Sequence, residues 1–354
     1  MRYLFNPLLT ALSWFYGAVA FLRNRFYDWG IWRTHRLPAA VVSVGNLSAG
    51  GTGKTPVTLA LAQLLQRPPY GVRVAILSRG YRRKSKGFQW VSAGAESLCD
   101  WEASGDEPQI FARRLHGVPV AVDADRVRGG AALIKEYSPR VILLDDGFQH
   151  RRLARDLDIV LIDPPRDLRE ALLPRGLLRE PFSSLGRADL ILLMAQEGES
   201  ALFEESWKYC ADRFGEERLI ACRSQRRACY ELRTGENISL ESLGGTRLLP
   251  FCGIAKPENF LLTLSGLGSE IPILIRFRDH HVYSLRDLER LALIYAKHKA
   301  QYLITTEKDA VKLGGLFHAL PILVLQTEIE WLRGFENLQR QFNRILAQSP
   351  HESA

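Results

Sequence analysis

Apolar runs and helix-period segments alternate along the first two thirds of this chain. The pattern predicts strands near 39–45, 73–78, 118–122, 140–145, 158–163 and 189–194, and helices near 54–66, 106–116, 125–137 and 201–213. Runs such as AAVVSVG and RVILLD are apolar at successive positions, so both faces of those strands are expected to be covered, as in a parallel sheet flanked by helices. The same rhythm resumes with apolar runs at 247–252, 271–277, 301–306 and 320–325. Between the two halves, 223–246 is polar and contains glycine, so a boundary is expected there. The expected fold class is α/β: a parallel sheet with helices on both faces over 37–222 and a smaller C-terminal α/β lobe over 223–354.

The segment 7–22 (PLLTALSWFYGAVAFL) breaks this rhythm. It carries no charge, contains Trp14, Phe15, Tyr16 and Phe21, and is followed by Arg23, Arg25, Arg33 and Arg36. Sixteen helical residues span about 24 Å, short of a hydrocarbon core of about 30 Å. Residues 1–36 are therefore read as a membrane-associating segment that lies in the interface, with aromatic rings at headgroup level and cations toward anionic lipid. A buried core helix is the rival reading. A signal peptide fits less well, because Arg2 is the only cation ahead of the apolar run.

Charge strengthens the first reading. The net charge is +8, but residues 1–95 hold thirteen Lys and Arg against one acidic residue, while the remainder is net −4. Between Trp29 and Ala95 there is no Asp or Glu. A one-signed field of this kind concentrates an anionic partner, and a nucleotide alone is a small reason for it. With 354 residues, 46% of them hydrophobic, the chain can bury a full core. Its five cysteines show no metal-ligand spacing and are odd in number, which suits reduced, structural thiols.

Candidate chemistry begins where the first strand ends. Ser48, Ala49, Gly50, Gly51, Thr52, Gly53, Lys54 and Thr55 lead straight into an apolar helix. Glycines there let backbone amides converge on phosphates, and the helix start adds partial positive charge. The sheet is thus expected to be of P-loop NTPase type, with Lys54 on the β- and γ-phosphates and Thr55 on Mg²⁺. The strand VILLDD ends in Asp145 and Asp146, carboxylates placed to complete a Mg²⁺ site; which of them touches the metal is open. No Asn-Lys-x-Asp guanine signature occurs, so ATP is expected. Arg79, Arg82 and Arg83 follow another strand at the sheet edge where ligands bind, and are expected to meet a substrate phosphate. Adjacent His280 and His281 would point to opposite faces of a strand, which argues against a shared zinc ion.

Several further segments share one resemblance: GNLSAGGTGKTP at 45–56, SRGYRR at 78–83, GDEP at 105–108, DDGFQHRRL at 145–153, PRGLLREP at 174–181, FCGIAKPENF at 251–260, FRDHHVYS at 277–284 and TTEKDAVK at 305–312. Together they resemble the tetraacyldisaccharide 4'-kinases, from the N-terminal segment to about residue 325. The resemblance implies transfer of the γ-phosphoryl group of ATP to the 4'-hydroxyl of a tetraacylated glucosamine disaccharide 1-phosphate. It also implies action at the cytosolic leaflet of a bacterial inner membrane, in lipid A biosynthesis. That acceptor is an anionic glycolipid, and neither nucleic acid nor a protein partner is implied. Carried over by position, Asp106 and His280 are the pair that deprotonates the acceptor; Asp145, Asp146 and Glu180 are metal or active-site carboxylates; Gln149, His150 and Arg179 are polar contacts to substrate. Without the resemblance, Asp106 reads as a helix N-cap. A nucleotide-hydrolysing switch acting on a membrane or a metallochaperone is the competing function.

Overall fold

The computed structural model describes residues 7–348, apart from 165, 197–200, 315, 317 and 318. In chain order the elements are α1 (Pro7–Asp28), β1 (Ala40–Asn46), α2 (Lys54–Gln66), β2 (Val74–Ser78), β3 (Gln89–Ala93), α3 (Trp101–Ser104), α4 (Asp106–Arg114), β4 (Pro119–Val122), α5 (Arg126–Tyr137), β5 (Val141–Asp145), β6 (Leu157–Ile162), α6 (Arg166–Arg169) and β7 (Leu190–Ala195). They continue with α7 (Ala201–Phe214), β8 (Leu219–Glu231), β9 (Asn237–Ile238), β10 (Leu248–Cys252), α8 (Pro257–Ser265), β11 (Ile275–Arg276), α9 (Leu285–Lys297), β12 (Tyr302–Thr306), α10 (Glu307–Leu313), β13 (Ile322–Arg333) and α11 (Phe335–Gln348).

Strands β1, β2, β4, β5, β6 and β7 are buried almost throughout and pair in parallel, as their uninterrupted apolar runs require. One sheet runs in the order β11-β10-β12-β13-β8-β7-β6-β1-β5-β2-β4-β3, with β9 on β8. From β1 the chain crosses to β2 on one side, and from β5 it crosses to β6 on the other. The C-terminal end of β1 is therefore a topological switch point, where the crevice of an open α/β sheet forms.

The stretch 223–246, where a boundary is expected, begins as strand. β8 passes residues 222 and 223 without interruption and pairs antiparallel with β13 along most of its length. Its polar sequence is explained by its partners. Arg223 stands opposite Glu330 and donates to it at 2.6 Å, and Gln225 stands opposite Glu328 at 3.2 Å. Such cross-strand pairs let a polar ribbon hold register without a buried face. At the chain's end α11 turns back, and Leu338, Phe342 and Ile345 join the core that contains Val42, Val74 and Leu157. Two smaller differences concern strands: the apolar run 271–277 contributes only Ile275–Arg276, and β3 forms an edge strand that its sequence does not announce.

Helix α1 extends six residues past the predicted 7–22. Its attachment is polar and narrow. Ser13 donates to the Leu172 carbonyl at 2.8 Å, Tyr16 to the Arg179 carbonyl at 3.0 Å, and Asn24 to Glu180 at 2.9 Å. Gly17 lies on the same seam, where an added Cβ would come within 2.8 Å of Leu172. The opposite face exposes Trp14, Phe15, Val19, Phe21 and Leu22, and Trp29, Ile31 and Trp32 continue the exposed apolar surface. Among the described residues no helix is long and apolar enough to cross a membrane.

Candidate active site

The glycine-rich loop joins β1 to α2 at the switch point. Gly53 caps α2 with φ of +87°, a left-handed conformation that glycine adopts without strain. The cap leaves the first amides of α2 without helical partners. From below, Asn46 organises the loop: its amide donates to Thr52 Oγ1 at 2.7 Å and its carbonyl oxygen accepts from Lys54 Nζ at 3.0 Å and from Arg179. Beside the loop, Arg179 grips Asp146 through two hydrogen bonds of 3.0 and 2.8 Å, and Lys54 Nζ lies 3.5 Å from the same carboxylate.

The two aspartates at the end of β5 differ in environment. Asp145 is buried; its Oδ2 accepts from Ser78 at 3.0 Å, while Oδ1 has no hydrogen-bond partner among the described residues. Burial, with the negative charges of Glu107 and Asp146, pushes its carboxyl up to about 7. Burial acts the same way on Asp146, but Lys54, Arg179 and Arg126 outweigh it and hold that carboxyl well below the usual range. One group is poised for a cation and the other is already compensated.

Across a cavity of about 670 Å³ stands the second cluster. His280 Nδ1 is 2.9 Å from Asp106 Oδ2. His280 and Glu107 line the cavity, and Asp106 lies behind His280, 6% exposed. Gly105, not Asp106, occupies the N-cap position of α4, and Asp106 is its first helical residue. Burial raises the Asp106 carboxyl, but the His280 hydrogen bond and the charges of Lys308 and Lys312 bring it below its ordinary value. Tyr81 stacks obliquely on the His280 ring at 5.4 Å, and Arg82 donates to the Asp279 carbonyl at 3.2 Å.

Of the residues read from sequence, the loop from Ala49 to Thr55, Arg79, Arg82, Asp145, Asp146, Arg179 and His280 all line this one cavity. Ser48 is buried beneath the loop. Gln149 and His150 lie outside the cavity lining: Gln149 donates to the Asn46 carbonyl at 3.0 Å, and burial with Arg126 and Arg155 pushes the His150 imidazole down to about 4. Glu180 is not brought to the loop at all. It is buried and accepts from Arg23, Asn24 and Arg187, so its carboxylate is committed to holding α1. Residues not anticipated from the sequence are Asn46, Glu107, Lys308 and Arg126, whose buried guanidinium is pushed down to about 10 by burial and Arg79. Asn46, Glu107 and Lys308 lie inside GNLSAGGTGKTP, GDEP and TTEKDAVK, beside residues whose chemistry is plainer in sequence.

A nucleotide-dependent α/β phosphotransferase is the class of protein that this sheet and cavity define. Comparison with known proteins narrows it. The family described as tetraacyldisaccharide-1-P 4'-kinase matches residues 5–347. The tetraacyldisaccharide 4'-kinase of Syntrophus aciditrophicus is 40% identical over 348 residues, covering 94% of this chain and 92% of that protein. That of Aquifex aeolicus is 37% identical over 308 residues, covering 87% and 90%. A crystal structure of Aquifex aeolicus LpxK in complex with ATP superposes with a TM-score of 0.76 at 33% identity, covering 95% of this chain and 98% of that one. This chain belongs to the tetraacyldisaccharide-1-P 4'-kinase family and is an ATP-dependent kinase.

Proposed function

We propose that this enzyme moves the γ-phosphoryl group of ATP onto the 4'-hydroxyl of a tetraacylated glucosamine disaccharide 1-phosphate, using the glycine-rich loop as a P-loop and Asp106–His280 as the base pair. The observation that carries the residue assignment is the placement of His280, backed by Asp106 at 2.9 Å, across the same cavity from Lys54, Asp145 and Asp146. The loop amides and Lys54 would hold the triphosphate. As the acceptor oxygen bonds to the γ-phosphorus, the bond to the β,γ-bridging oxygen breaks, ADP leaves, and the hydroxyl proton passes to the Asp106–His280 pair. Base assistance of this kind is worth about 10² to 10⁴ in rate, and positioning with charge neutralisation supplies most of the rest.

Thr55, Asp145 and Asp146 fit a magnesium ion. The Oδ1 of Asp145 and its elevated proton affinity suit a carboxylate whose charge a cation would compensate. Among the described residues no group of three His, Cys, Asp or Glu could form a metal cage. Mg²⁺ characteristically takes one or two carboxylates and completes its shell with phosphates and water. When bound it neutralises charge on the β- and γ-phosphates. Glu180 is left out of this set.

The exposed apolar face of α1, with Trp29, Ile31 and Trp32 and the cations Arg25 and Arg33, supports docking of residues 1–36 on an anionic membrane, at the cytoplasmic face of the inner membrane where this acceptor would reside. Residues 37–222 would then form the nucleotide-binding part and 223–354 the smaller lobe bringing His280 to it. Incubating the protein with γ-labelled ATP and the disaccharide 1-phosphate in mixed micelles tests the function. Label in the lipid is expected; label released only as inorganic phosphate would favour a hydrolytic switch.

A further inference from the structure

The TTEKDAVK segment holds chemistry that the mechanism above leaves unused. Lys308 and Lys312 of α10 are four residues apart, so they share one helix face, and that face is turned toward Asp106 and His280. Lys308 Nζ lies 3.3 Å from His280 Nε2 and 3.2 Å from Glu107 Oε1. Lys312, its side chain buried, lies 3.2 Å from Asp309 Oδ1 and 4.0 Å from Asp106 Oδ2. Asp309 is fixed in turn by the Gly253 amide and the Tyr283 and Thr306 hydroxyls. Lys308 thus sits between an acid and the imidazole, and Lys312 stands at ion-pair distance from two acids.

An ammonium group has three donors and no lone pair. Burial weakens the hold of Lys308 on its proton, yet Glu107, Asp106 and Asp279 more than offset this and raise its proton affinity. A charged Lys308 can only donate to Nε2. That nitrogen must then carry the lone pair, and the single imidazole proton sits on Nδ1, facing Asp106 Oδ2.

We propose that Lys308 is a positioning residue that keeps the Asp106–His280 pair at one proton, on His280 Nδ1, so that Nε2 enters the reaction with its lone pair, which passes from the Lys308 N–H to the proton of the acceptor hydroxyl as that group binds. The groups facing His280 divide by sign. Asp106 and Glu107 from α4 and Asp279 from its own loop favour a second imidazole proton, while Lys308 and Lys312 oppose it. Tyr81 contacts the ring as a neutral group, and Arg82 is engaged with the Asp279 carbonyl. Without Lys308 the acids prevail, and the charge that opposes a second imidazole proton is lost. The inference rests on the assignment of Asp106 and His280 as the base pair.

The test uses the full-length enzyme with ATP and the disaccharide 1-phosphate in micelles, measuring kcat from pH 5.5 to 9. Lys308→Met is expected to move the acid limb upward by about one pH unit or more, with roughly a tenfold loss at pH 6.5 that shrinks to within about threefold at pH 9. Lys308→Arg restores a cation and should return the limb toward the parent enzyme. ¹⁵N-histidine NMR of the unsubstituted enzyme, assigned with His280→Gln, should show Nδ1 protonated and Nε2 not at pH 7.5. A loss in Lys308→Met of the same size at every pH, or a spectrum with Nε2 protonated, would overturn the proposal; should that variant fail to fold, the spectrum decides. Full turnover by Asp106→Ala and His280→Gln would instead overturn the base-pair assignment, independently of Lys308.

Discussion

Glu180→Gln separates two roles that one carboxylate cannot fill together. The Glu180 side chain is 1% exposed and accepts from Arg187 at 2.8 Å, Asn24 at 2.9 Å and Arg23 at 3.2 Å. Glutamine preserves the shape but removes the charge and turns an amide donor toward one of these donors. A hydrogen bond to a buried charge contributes about 1.5–3 kcal/mol, and the Arg187 contact is of that kind. The Arg23 guanidinium is 35% exposed, so solvent screens its share to well under about 1 kcal/mol. The sum is a loss of roughly 2–4 kcal/mol, concentrated where α1 meets the body of the protein. In a chain of this size each kcal/mol lowers the melting temperature by about 1.3 °C, giving an expected fall of roughly 3–5 °C. Two measurements decide: a thermal melt of the free protein, and initial rates titrated with Mg²⁺. The melt should drop while the Mg²⁺ concentration for half-maximal rate stays within about threefold. A melt unchanged to within a degree, together with a Mg²⁺ requirement raised tenfold, would place Glu180 on the metal and refute this reasoning.

Lys54→Ala should lower kcat by about 10³ or more with an unchanged melt, measured by lipid labelling; normal product formation would exclude the phosphate role of the loop. Asp106→Ala should reduce kcat by about 10² to 10⁴ while ATP affinity, read by calorimetry, changes less than about threefold; equal losses in both would make Asp106 a structural residue. Trp14→Glu combined with Phe15→Glu should release the protein from anionic vesicles in a sedimentation assay without shifting its melt, since those rings are 76% and 70% exposed. The Asp145 carboxyl, pushed up to about 7 by burial and by Glu107 and Asp146, costs stability that is absent near pH 4, grows as pH rises and is complete above 7. Asp145→Asn should therefore melt higher than the parent at pH 8 in metal-free buffer, by a margin that vanishes toward pH 4; a margin independent of pH contradicts the assignment.

Much of the fold was legible because parallel strands covered on both faces leave uninterrupted apolar runs. β1, β2, β4, β5, β6 and β7 each fall within a residue or two of the runs that announced them. β8 was illegible for the converse reason. Its middle is stabilised by Arg223–Glu330 and Gln225–Glu328 across a ladder whose partner lies about a hundred residues on, and local periodicity carries no trace of a distant pairing. The site divides along the same line. The loop, Lys54 and the two aspartates sit at element ends and announce themselves by spacing. Their partners Asn46, Arg126 and Glu107, and Lys308 beside His280, converge from separate elements and are visible only in three dimensions.

Helix α1 shows how far composition alone can carry such an argument. The run 7–22 is apolar on nearly all sides, which by itself suits a core helix and an interfacial one equally. The distinguishing feature is the strip of Ser13, Gly17, Ala20 and Asn24, small or polar residues at spacings of three and four that fall on one face. A helix resting in water would turn that strip outward and bury its aromatics. Here the strip faces inward, because the surface offered to it is a row of carbonyls and the Glu180 carboxylate, while the aromatics face out. At about 25 cal/mol per Å² of apolar area removed from water, an apolar cover over that outward face would be stabilising. The same seam includes the carbonyl of Arg179, whose guanidinium grips Asp146.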